Sequence, residues 1–202
     1  MKKIPTLFKR VYENHKVVGI TDEVTPGCEI VLEGKCNATI KMDGSACAII
    51  DGYFYKRYDA KKGKKIPKNA IKCQDEPDPI TGHMPCWIPI DEKNPADKWF
   101  IEANRNYNLD RTLPGYGFSR TPEGTYEAVG PHFNGNHERF IKDTLVRHGI
   151  FIIDGLSKKP LTFEMIRDFL SQTYIEGIVF WAGEPICKIK RSDFGFEWGN
   201  KR

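Results

Sequence analysis

The stretch that decides the predicted fold is residues 38–58, which read ATIKMDGSACAIIDGYFYKRY. Three runs rich in apolar or aromatic residues are separated there by two Asp-Gly steps, Asp43-Gly44 and Asp51-Gly52. Asp-Gly between such runs is typical of a tight β-hairpin turn, because both central positions of that turn need positive φ. We therefore expect a strand at 38–42 and two antiparallel strands within 46–58.

The rest of the chain predicts an α+β fold, with mostly antiparallel sheets and a few helices. Six prolines in residues 61–95 indicate a long irregular segment that contains one short strand. Apolar spacing predicts one helix at 138–148, and another after Pro160 with its apolar face on Phe163, Ile166, Phe169 and Leu170. The predicted strands outside the opening stretch are 86–90, 99–103, 125–129, a buried 150–153, and a closing pair at 177–181 and 186–191.

Length and composition exclude several classes of protein. The chain has 202 residues, of which 40% are hydrophobic, and this suits one sizeable packed domain or two small ones. The longest apolar runs, residues 46–50 among them, have five residues, whereas a membrane span needs about 20. The N-terminus also lacks the apolar stretch of a secretory signal. We therefore expect a cytoplasmic protein with no membrane partner.

The cysteines and charges give further expectations. Six scattered cysteines without a Cys-x-x-Cys pair predict neither disulfides nor structural zinc. Residues 56–72 carry eight basic residues and one acid, whereas residues 75–97 carry six acids and one lysine. A basic segment of this kind creates a local field that can attract phosphates, although it can equally be a solvated loop.

Lys41 is the first candidate for chemistry. It lies in a predicted strand between Ile40 and Met42, directly before Asp43-Gly44. If the strand buries its ammonium group, the pKa falls, and a neutral amine is a nucleophile. The alternative is an ordinary lysine on an exposed strand face before a turn.

The closing pair of strands carries the next candidates. Glu176 precedes an apolar strand, and Lys188 and Lys190 should project from one face of the last strand because residues two apart share a face. Two ammonium groups on one side repel each other unless an anion lies between them, and phosphate is the obvious anion. The alternative is a half-exposed strand with solvated lysines.

Five elements, taken in chain order, resemble the motifs of the covalent nucleotidyltransferase superfamily of polynucleotide ligases and mRNA capping enzymes. The elements are Lys41-x-Asp43-Gly44, Glu127, Phe151, Glu176-Gly177-Ile178-Val179 and Lys188-x-Lys190. Within that superfamily the chain is most similar to the 5′-3′ RNA ligases of animals. The further segments that carry this resemblance are 56–59, 82–89, 134–136, 148–151 and 176–198. The chain departs from the family in a shorter hairpin between Lys41 and Arg57 and in a compressed spacing from Gly130 to His148.

The resemblance implies a ligase-type, ATP-grasp-like adenylyltransferase fold. Because only 12 residues follow Lys190, we expect residues 1–202 to form one nucleotidyltransferase domain without an appended OB-fold. The implied enzyme is an RNA ligase for RNA repair that joins 5′-phosphate and 3′-hydroxyl ends with ATP. We expect a monomer, with an end-processing enzyme as a further partner. The alternatives are a capping-type guanylyltransferase and a non-catalytic nucleic-acid-binding relative.

The resemblance also implies the roles of the site residues. Lys41 would accept AMP from ATP, Asp43 would orient Lys41, and Lys188 and Lys190 would hold the α-phosphate. Glu176 would assist Mg²⁺, or Mn²⁺ in its place, which needs only one or two carboxylates beside substrate phosphates. Three residues would bind other parts of ATP: Arg57 a phosphate or ribose oxygen, Glu127 the ribose hydroxyls, and Phe151 the adenine ring, although core packing is an equal alternative for Phe151. Lys56 should point to the opposite strand face from Arg57.

Overall fold

The computed structural model describes residues 1–14, 16–111 and 120–199. The chain divides into two compact units. Unit 1 comprises Met1–Lys3 and Asp43–His148, and unit 2 comprises Ile4–Met42 and Gly149–Arg202. The expectation of one nucleotidyltransferase domain over the chain stays a prediction.

The secondary structure is mainly β. The strands in chain order are β1 (Phe8–Glu13), β2 (Lys16–Val24), β3 (Asn37–Lys41), β4 (Ser45–Ile50), β5 (Tyr53–Ala60), β6 (Ile71–Lys72), β7 (Met84–Pro89), β8 (Gly124–Val129), β9 (Thr144–Arg147), β10 (Gly177–Ala182) and β11 (Glu184–Lys190). The α-helices are α1 (Glu29–Leu32), α2 (Lys98–Arg111) and α3 (Phe163–Gln172), and short 3-10 helices lie at Pro95–Asp97, Asp154–Leu156 and Arg191–Phe194. Every strand pair in the sheets is antiparallel. The predicted α+β class is confirmed.

Unit 2 is built on a three-stranded sheet in the order β11-β10-β3, together with the β1-β2 hairpin. One face of the three-stranded sheet lies in the core, where Cys187, Ile178 and Phe180 are fully buried. Helix α3 contributes Ile166 and Leu170 to the same core, because residues four apart share a helix face. The opposite face of the sheet is free to carry polar side chains.

Unit 1 is built on a six-stranded sheet in the order β6-β7-β5-β4-β8-β9. Helix α2 supplies Ala103 to a core that also contains Cys47 and Tyr126 from the sheet. The β4-β5 turn is the Asp-Gly turn expected from the sequence, with φ of 51° at Asp51 and 77° at Gly52. The strands predicted within 46–58 are therefore confirmed.

Three predicted elements are wrong. Residues 99–103 belong to α2 instead of a strand, because Asn94 caps a helical turn that Pro95 begins and α2 continues it. Residues 138–148 do not form a helix, since Arg139 adopts a φ of 59° and β9 pairs with β8. Residues 150–153 are not a buried strand, because they make one isolated bridge beside β3 and Ile150, Phe151 and Ile152 are exposed.

The other predicted elements are confirmed. They are the strands at 38–42, 86–90 and 125–129, helix α3, and the closing hairpin, which turns at Gly183. The sequence patterns did not indicate the β1-β2 hairpin. Among the described residues, no helix combines the length and apolar character that crossing a membrane requires.

Candidate active site

The three-stranded sheet of unit 2 brings three lysines to one face. Gly177 of β10 lies directly opposite Lys190 of β11 on one side and Lys41 of β3 on the other. Side chains of residues paired across a sheet point to the same face, and so do those two residues apart along a strand. Lys188 therefore shares this face with Lys41 and Lys190, while Ile189 is buried on the opposite face. The predicted common face of Lys188 and Lys190 is confirmed.

Gly177 is required by the close approach of the neighbouring strand. A Cβ atom at this position would lie 2.2 Å from the carbonyl oxygen of Ile189 and 2.9 Å from Cα of Lys190. These are backbone atoms, which cannot give way as the tip of a side chain can. The glycine also leaves the space between Lys41 and Lys190 without a side chain from the central strand.

The carboxylate of Glu176 bridges two of the lysines. Its Oε2 lies 2.5 Å from Nζ of Lys41, and its Oε1 lies 2.6 Å from Nζ of Lys190. The Glu176 side chain is only 4% exposed, while those of Lys41 and Lys190 are 19% and 33% exposed. The main-chain carbonyl of Glu176 accepts a hydrogen bond of 2.8 Å from the Arg191 amide. A buried carboxylate thus fixes the positions of two partly exposed ammonium groups.

Lys188 lies in the positive field of this cluster. Burial, followed by the charges of Lys41, Lys190 and Arg10, lowers the pKa of Lys188 to about 8, whereas Glu176 acts in the opposite direction. Within the described parts of the chain, the Lys188 ammonium makes no hydrogen bond or ion pair. Three ammonium groups against one carboxylate favour the binding of an anion, and phosphate oxygens are suitable acceptors.

Asp193 and Arg10 support this cluster from the end of β11. Oδ1 of Asp193 accepts from Nε and Nη2 of Arg10 at 3.1 and 2.9 Å, and Oδ2 accepts from the main-chain amide of Lys190 at 2.8 Å. The buried Asp193 carboxylate therefore holds the backbone that carries Lys190. Asp193 follows the last residue of β11 by three positions and lies in a helical turn. An acid at this position is typical of a helix cap, so the sequence contained a local signal for it. Arg10 lies 183 residues away in sequence and had no local signal.

Phe151 lies outside the core of unit 2. Its side chain is 45% exposed, and its carbonyl oxygen accepts a hydrogen bond of 2.9 Å from the Ile40 amide, next to Lys41 in the chain. Core packing, the alternative weighed for this residue, is therefore wrong. Stacking of Phe151 on adenine stays a prediction.

In unit 1, the six-stranded sheet places Arg57 and Glu127 on one face. Ala48 pairs with Tyr55 on one side and Thr125 on the other, and Arg57 and Glu127 each lie two residues further along those strands. Lys56 points to the opposite face, where its ammonium contacts the buried carboxylate of Asp97. The expected separation of Lys56 from Arg57 is confirmed.

The guanidinium of Arg57 has partners within unit 1. It donates 2.7 Å hydrogen bonds to Oδ1 of Asp59 and to the carbonyl of Met1, and it lies 5.6 Å from the centre of the Trp87 ring. A phosphate or ribose oxygen would compete with the Met1 carbonyl for this group.

His148 holds Glu127 in place, which the sequence patterns did not indicate. Its Nε2 lies 2.9 Å from Oε2 of Glu127, and its Nδ1 lies 3.0 Å from Oγ1 of Thr125. With the hydroxyl of Thr125 donating to Nδ1, Nε2 carries the proton and donates to Glu127. One oxygen of Glu127 is thus engaged by imidazole, which leaves Oε1 as the acceptor for another group.

Asp43 and Gly44 begin the second segment of unit 1, and Asp43 follows Lys41 by two residues. Oδ1 of Asp43 accepts a hydrogen bond of 3.1 Å from the Asn134 amide group, which also donates to the Gly44 carbonyl. A Cβ atom at Gly44 would lie 2.1 Å from the carbonyl oxygen of Ala128, so this position must be glycine. The Asp-Gly step is therefore fixed against β8 in unit 1.

The predicted metal role of Glu176 depends on which side chains near it could also bind a metal ion. Among the residues that the structure describes, no group of three His, Cys, Asp or Glu side chains could hold a metal ion. Glu176 can offer one carboxylate, but both of its oxygens contact ammonium groups. This set fits only an ion that takes most of its ligands from water and substrate phosphates, as Mg²⁺ does.

Six of the eight predicted site residues thus fall into two groups. Lys41, Glu176, Lys188 and Lys190 are brought together in unit 2, and Arg57 and Glu127 share a sheet face in unit 1. Comparison with known proteins adds no family to this description: no family model matches the chain, and no curated protein is significantly similar to it.

Proposed function

We propose that this protein is an ATP-dependent RNA ligase that joins a 5′-phosphate end to a 3′-hydroxyl end through a covalent lysyl-AMP. The observation that carries the proposal is the contact of Lys41 with the buried carboxylate of Glu176, on a sheet face that also presents Lys188 and Lys190. This arrangement combines a nucleophile, a proton acceptor and two cations for phosphate. It agrees with the roles that the sequence resemblance implies.

The first step requires a neutral amine at Lys41. Glu176, 2.5 Å from Nζ, is placed to take the proton from the ammonium group. Nζ of Lys41 then attacks the α-phosphorus of ATP; the N–P bond forms, the bond from the α-phosphorus to the bridging oxygen breaks, and pyrophosphate leaves. Such transfers depend mainly on positioning and on neutralising charge, which Lys188 and Lys190 supply at the α-phosphate.

The next two steps reuse the same cations. An oxygen of the RNA 5′-phosphate attacks the phosphorus of lysyl-AMP, the N–P bond breaks, and the AMP moves to the RNA end. The 3′-hydroxyl then attacks the activated 5′-phosphate and gives up its proton to water, a phosphodiester forms, and AMP leaves with the bonding electrons. In both steps negative charge builds up on phosphate oxygens, which favours a face rich in ammonium groups.

Mg²⁺ would be held by phosphate oxygens and water, with Glu176 as its protein ligand. When bound, the ion neutralises charge on the phosphates. Lys188 and Lys190 orient the α-phosphate. Asp193 holds the backbone of Lys190 in position through the hydrogen bond from its main-chain amide.

The roles of Glu127 and Arg57 in recognition of ATP rest on the sequence resemblance. Glu127, held by His148, has one carboxylate oxygen left to accept from ribose hydroxyls. Arg57 can donate to a phosphate or ribose oxygen in exchange for the Met1 carbonyl. The preference for RNA over DNA comes from the resemblance alone.

The test is covalent labelling. The protein is incubated with ATP or GTP labelled at the α-phosphate, with Mg²⁺, and separated under denaturing conditions. We expect labelling by ATP that is lost in Lys41→Ala and retained in Lys158→Ala, whose lysine is exposed in unit 2. Labelling by GTP alone would assign a capping-type guanylyltransferase, and labelling that survives Lys41→Ala would disprove this mechanism.

A sealing assay then tests the substrate. Nicked duplex, stem-loop and single-stranded RNA with 5′-phosphate and 3′-hydroxyl ends are compared with the same strands carrying DNA ends. We expect AMP-capped RNA to accumulate and then disappear as the sealed strand forms. If labelled protein never transfers AMP to an RNA end, the ligase proposal fails while the lysyl-AMP step stands.

A further inference from the structure

The segment between β5 and β7 is strongly basic and lies outside the proposed reaction. Six lysines and no acid occur in residues 61–72, and we call this segment the lysine loop. Five of its lysines lie before β6, and the sixth, Lys72, is in that two-residue strand. The six lysines are all exposed: Lys61, Lys62, Lys64, Lys65, Lys68 and Lys72.

These lysines have no acidic partner in the parts of the chain that the structure describes. None of them makes an ion pair or a side-chain hydrogen bond there. Of the acids that flank the loop in sequence, Asp59 pairs with Arg57 and Asp78 with Lys3, whereas Asp75 and Glu76 follow the Lys72 end of the loop. Asp91 and Glu92 line a groove beside Lys68, so the positive charge is least compensated at the other end of the loop.

The backbone of the loop is anchored. The Lys64 amide donates to the Lys61 carbonyl at 2.9 Å, and the Ala70 amide donates to the Pro67 carbonyl at 3.1 Å. Ile66 and Ala70 pack against a buried cluster of Ala60, Met84 and Cys86. The apolar side chain of Ile66 is thereby directed inward, while the lysines stay in solvent.

We propose that the lysine loop binds the phosphodiester backbone of a nucleic acid. A row of unpaired ammonium groups on an anchored loop matches a polymer that carries one negative charge per nucleotide, and binding would release the counterions of that polymer. An anionic membrane is the less favoured partner, because membrane-surface segments present several exposed apolar side chains beside their basic residues. In this loop Ile66 packs inward, and Ile71 is the large apolar side chain that stays exposed, at 41%. The inference does not depend on nucleotidyl transfer, because it concerns binding without ATP.

The experiment measures binding of the full chain to a fluorescent single-stranded RNA of about 20 nucleotides, long enough to exceed typical single-strand site sizes. Anisotropy is recorded without ATP over a range of KCl concentrations. In the variant with Lys61, Lys62, Lys64 and Lys65 all changed to Gln, we expect affinity to fall by about tenfold or more. The slope of log affinity against log salt should fall by about 2 to 3, since each phosphate contact on a single strand contributes about 0.7.

Two matched variants test whether RNA affinity depends on the lysines of the loop or only on the net charge of the protein. A control with Lys9, Lys35, Lys158 and Lys159 changed to Gln removes the same charge from exposed positions of unit 2 and should bind RNA almost as the parent does. Changing the four loop lysines to Arg should restore both affinity and salt slope. Equal loss of affinity in the loop and control variants would overturn the proposal.

Two further outcomes are decisive. If the loop variant binds RNA as the parent does but loses binding to vesicles of phosphatidylserine and phosphatidylcholine, the loop is a membrane surface and the proposal is wrong. If no lysyl-AMP is ever formed but RNA affinity still depends on the loop, the binding surface stands and the ligase proposal fails.

Discussion

Replacing Lys188 by Met should change how stability depends on pH. The folded state lowers the pKa of Lys188 from 10.5 to about 8, chiefly through burial and then through Lys41, Lys190 and Arg10. Between these two pKa values the unfolded chain binds a proton at Lys188 that the folded chain releases. Stability therefore rises with pH across this window, because the free energy of unfolding increases wherever the unfolded state holds more protons.

The size of the effect follows from the shift. A difference of one pKa unit corresponds to about 1.4 kcal/mol, so protonated Lys188 disfavours the fold by about 3 kcal/mol at neutral pH. From pH 7 to pH 9.5 about 2 kcal/mol of this cost is removed. Met keeps most of the side-chain volume but does not titrate, so the parent should gain about 2 kcal/mol relative to Lys188→Met over this range.

Equilibrium urea denaturation at pH 7 and pH 9.5 measures this difference. Lys158→Met, at an exposed lysine of unit 2, is the control and should show no such change with pH. A stability difference between the parent and Lys188→Met that stays constant with pH would refute the assignment of a buried, cation-surrounded amine.

Two more predictions concern the same sheet. Gly177→Ala should destabilise the protein by about 3 kcal/mol, because its Cβ would collide with the backbone of β11. The control Gly19→Ala has nothing within 4 Å of its Cβ and should change stability by less than about 0.5 kcal/mol. Thermal denaturation of both variants measures the difference, and equal loss of stability in the two would contradict the prediction. Glu176→Gln should lose about 2 to 3 kcal/mol of stability and slow lysyl-AMP formation about 100-fold, because two ammonium groups lose their shared carboxylate. Glu164→Gln, at an exposed position of α3, is the control, and an unchanged labelling rate in Glu176→Gln would exclude Glu176 as proton acceptor.

The local sequence was sufficient to predict features that depend on one short segment of the chain. The Asp51-Gly52 turn has the predicted positive φ values, and alternation along β11 places Lys188 and Lys190 on one face. Both features depend only on the conformation of neighbouring residues, which sequence patterns describe well.

Prediction failed where packing overrode the local pattern. Residues 99–103 have the aromatic and β-branched residues of a strand, yet the start at Asn94-Pro95 and the packing of Ala103 against the sheet make them helical. Residues 138–148 have helical spacing, but pairing with β8 and the left-handed Arg139 exclude a helix. The cap at Asn94 was a local signal for α2, whereas the pairing of β9 with β8 depends on residues outside the segment.

The sequence by itself determined which chemical groups the protein can use and which lysines share a strand face. Only the tertiary structure decided that Glu176 lies between Lys41 and Lys190, that Asp193 joins Arg10 to the backbone of Lys190, and that His148 holds Glu127. The physical reason is that charge pairing and the lowered pKa of Lys188 depend on distance and burial, and these arise from contacts between residues up to 183 positions apart.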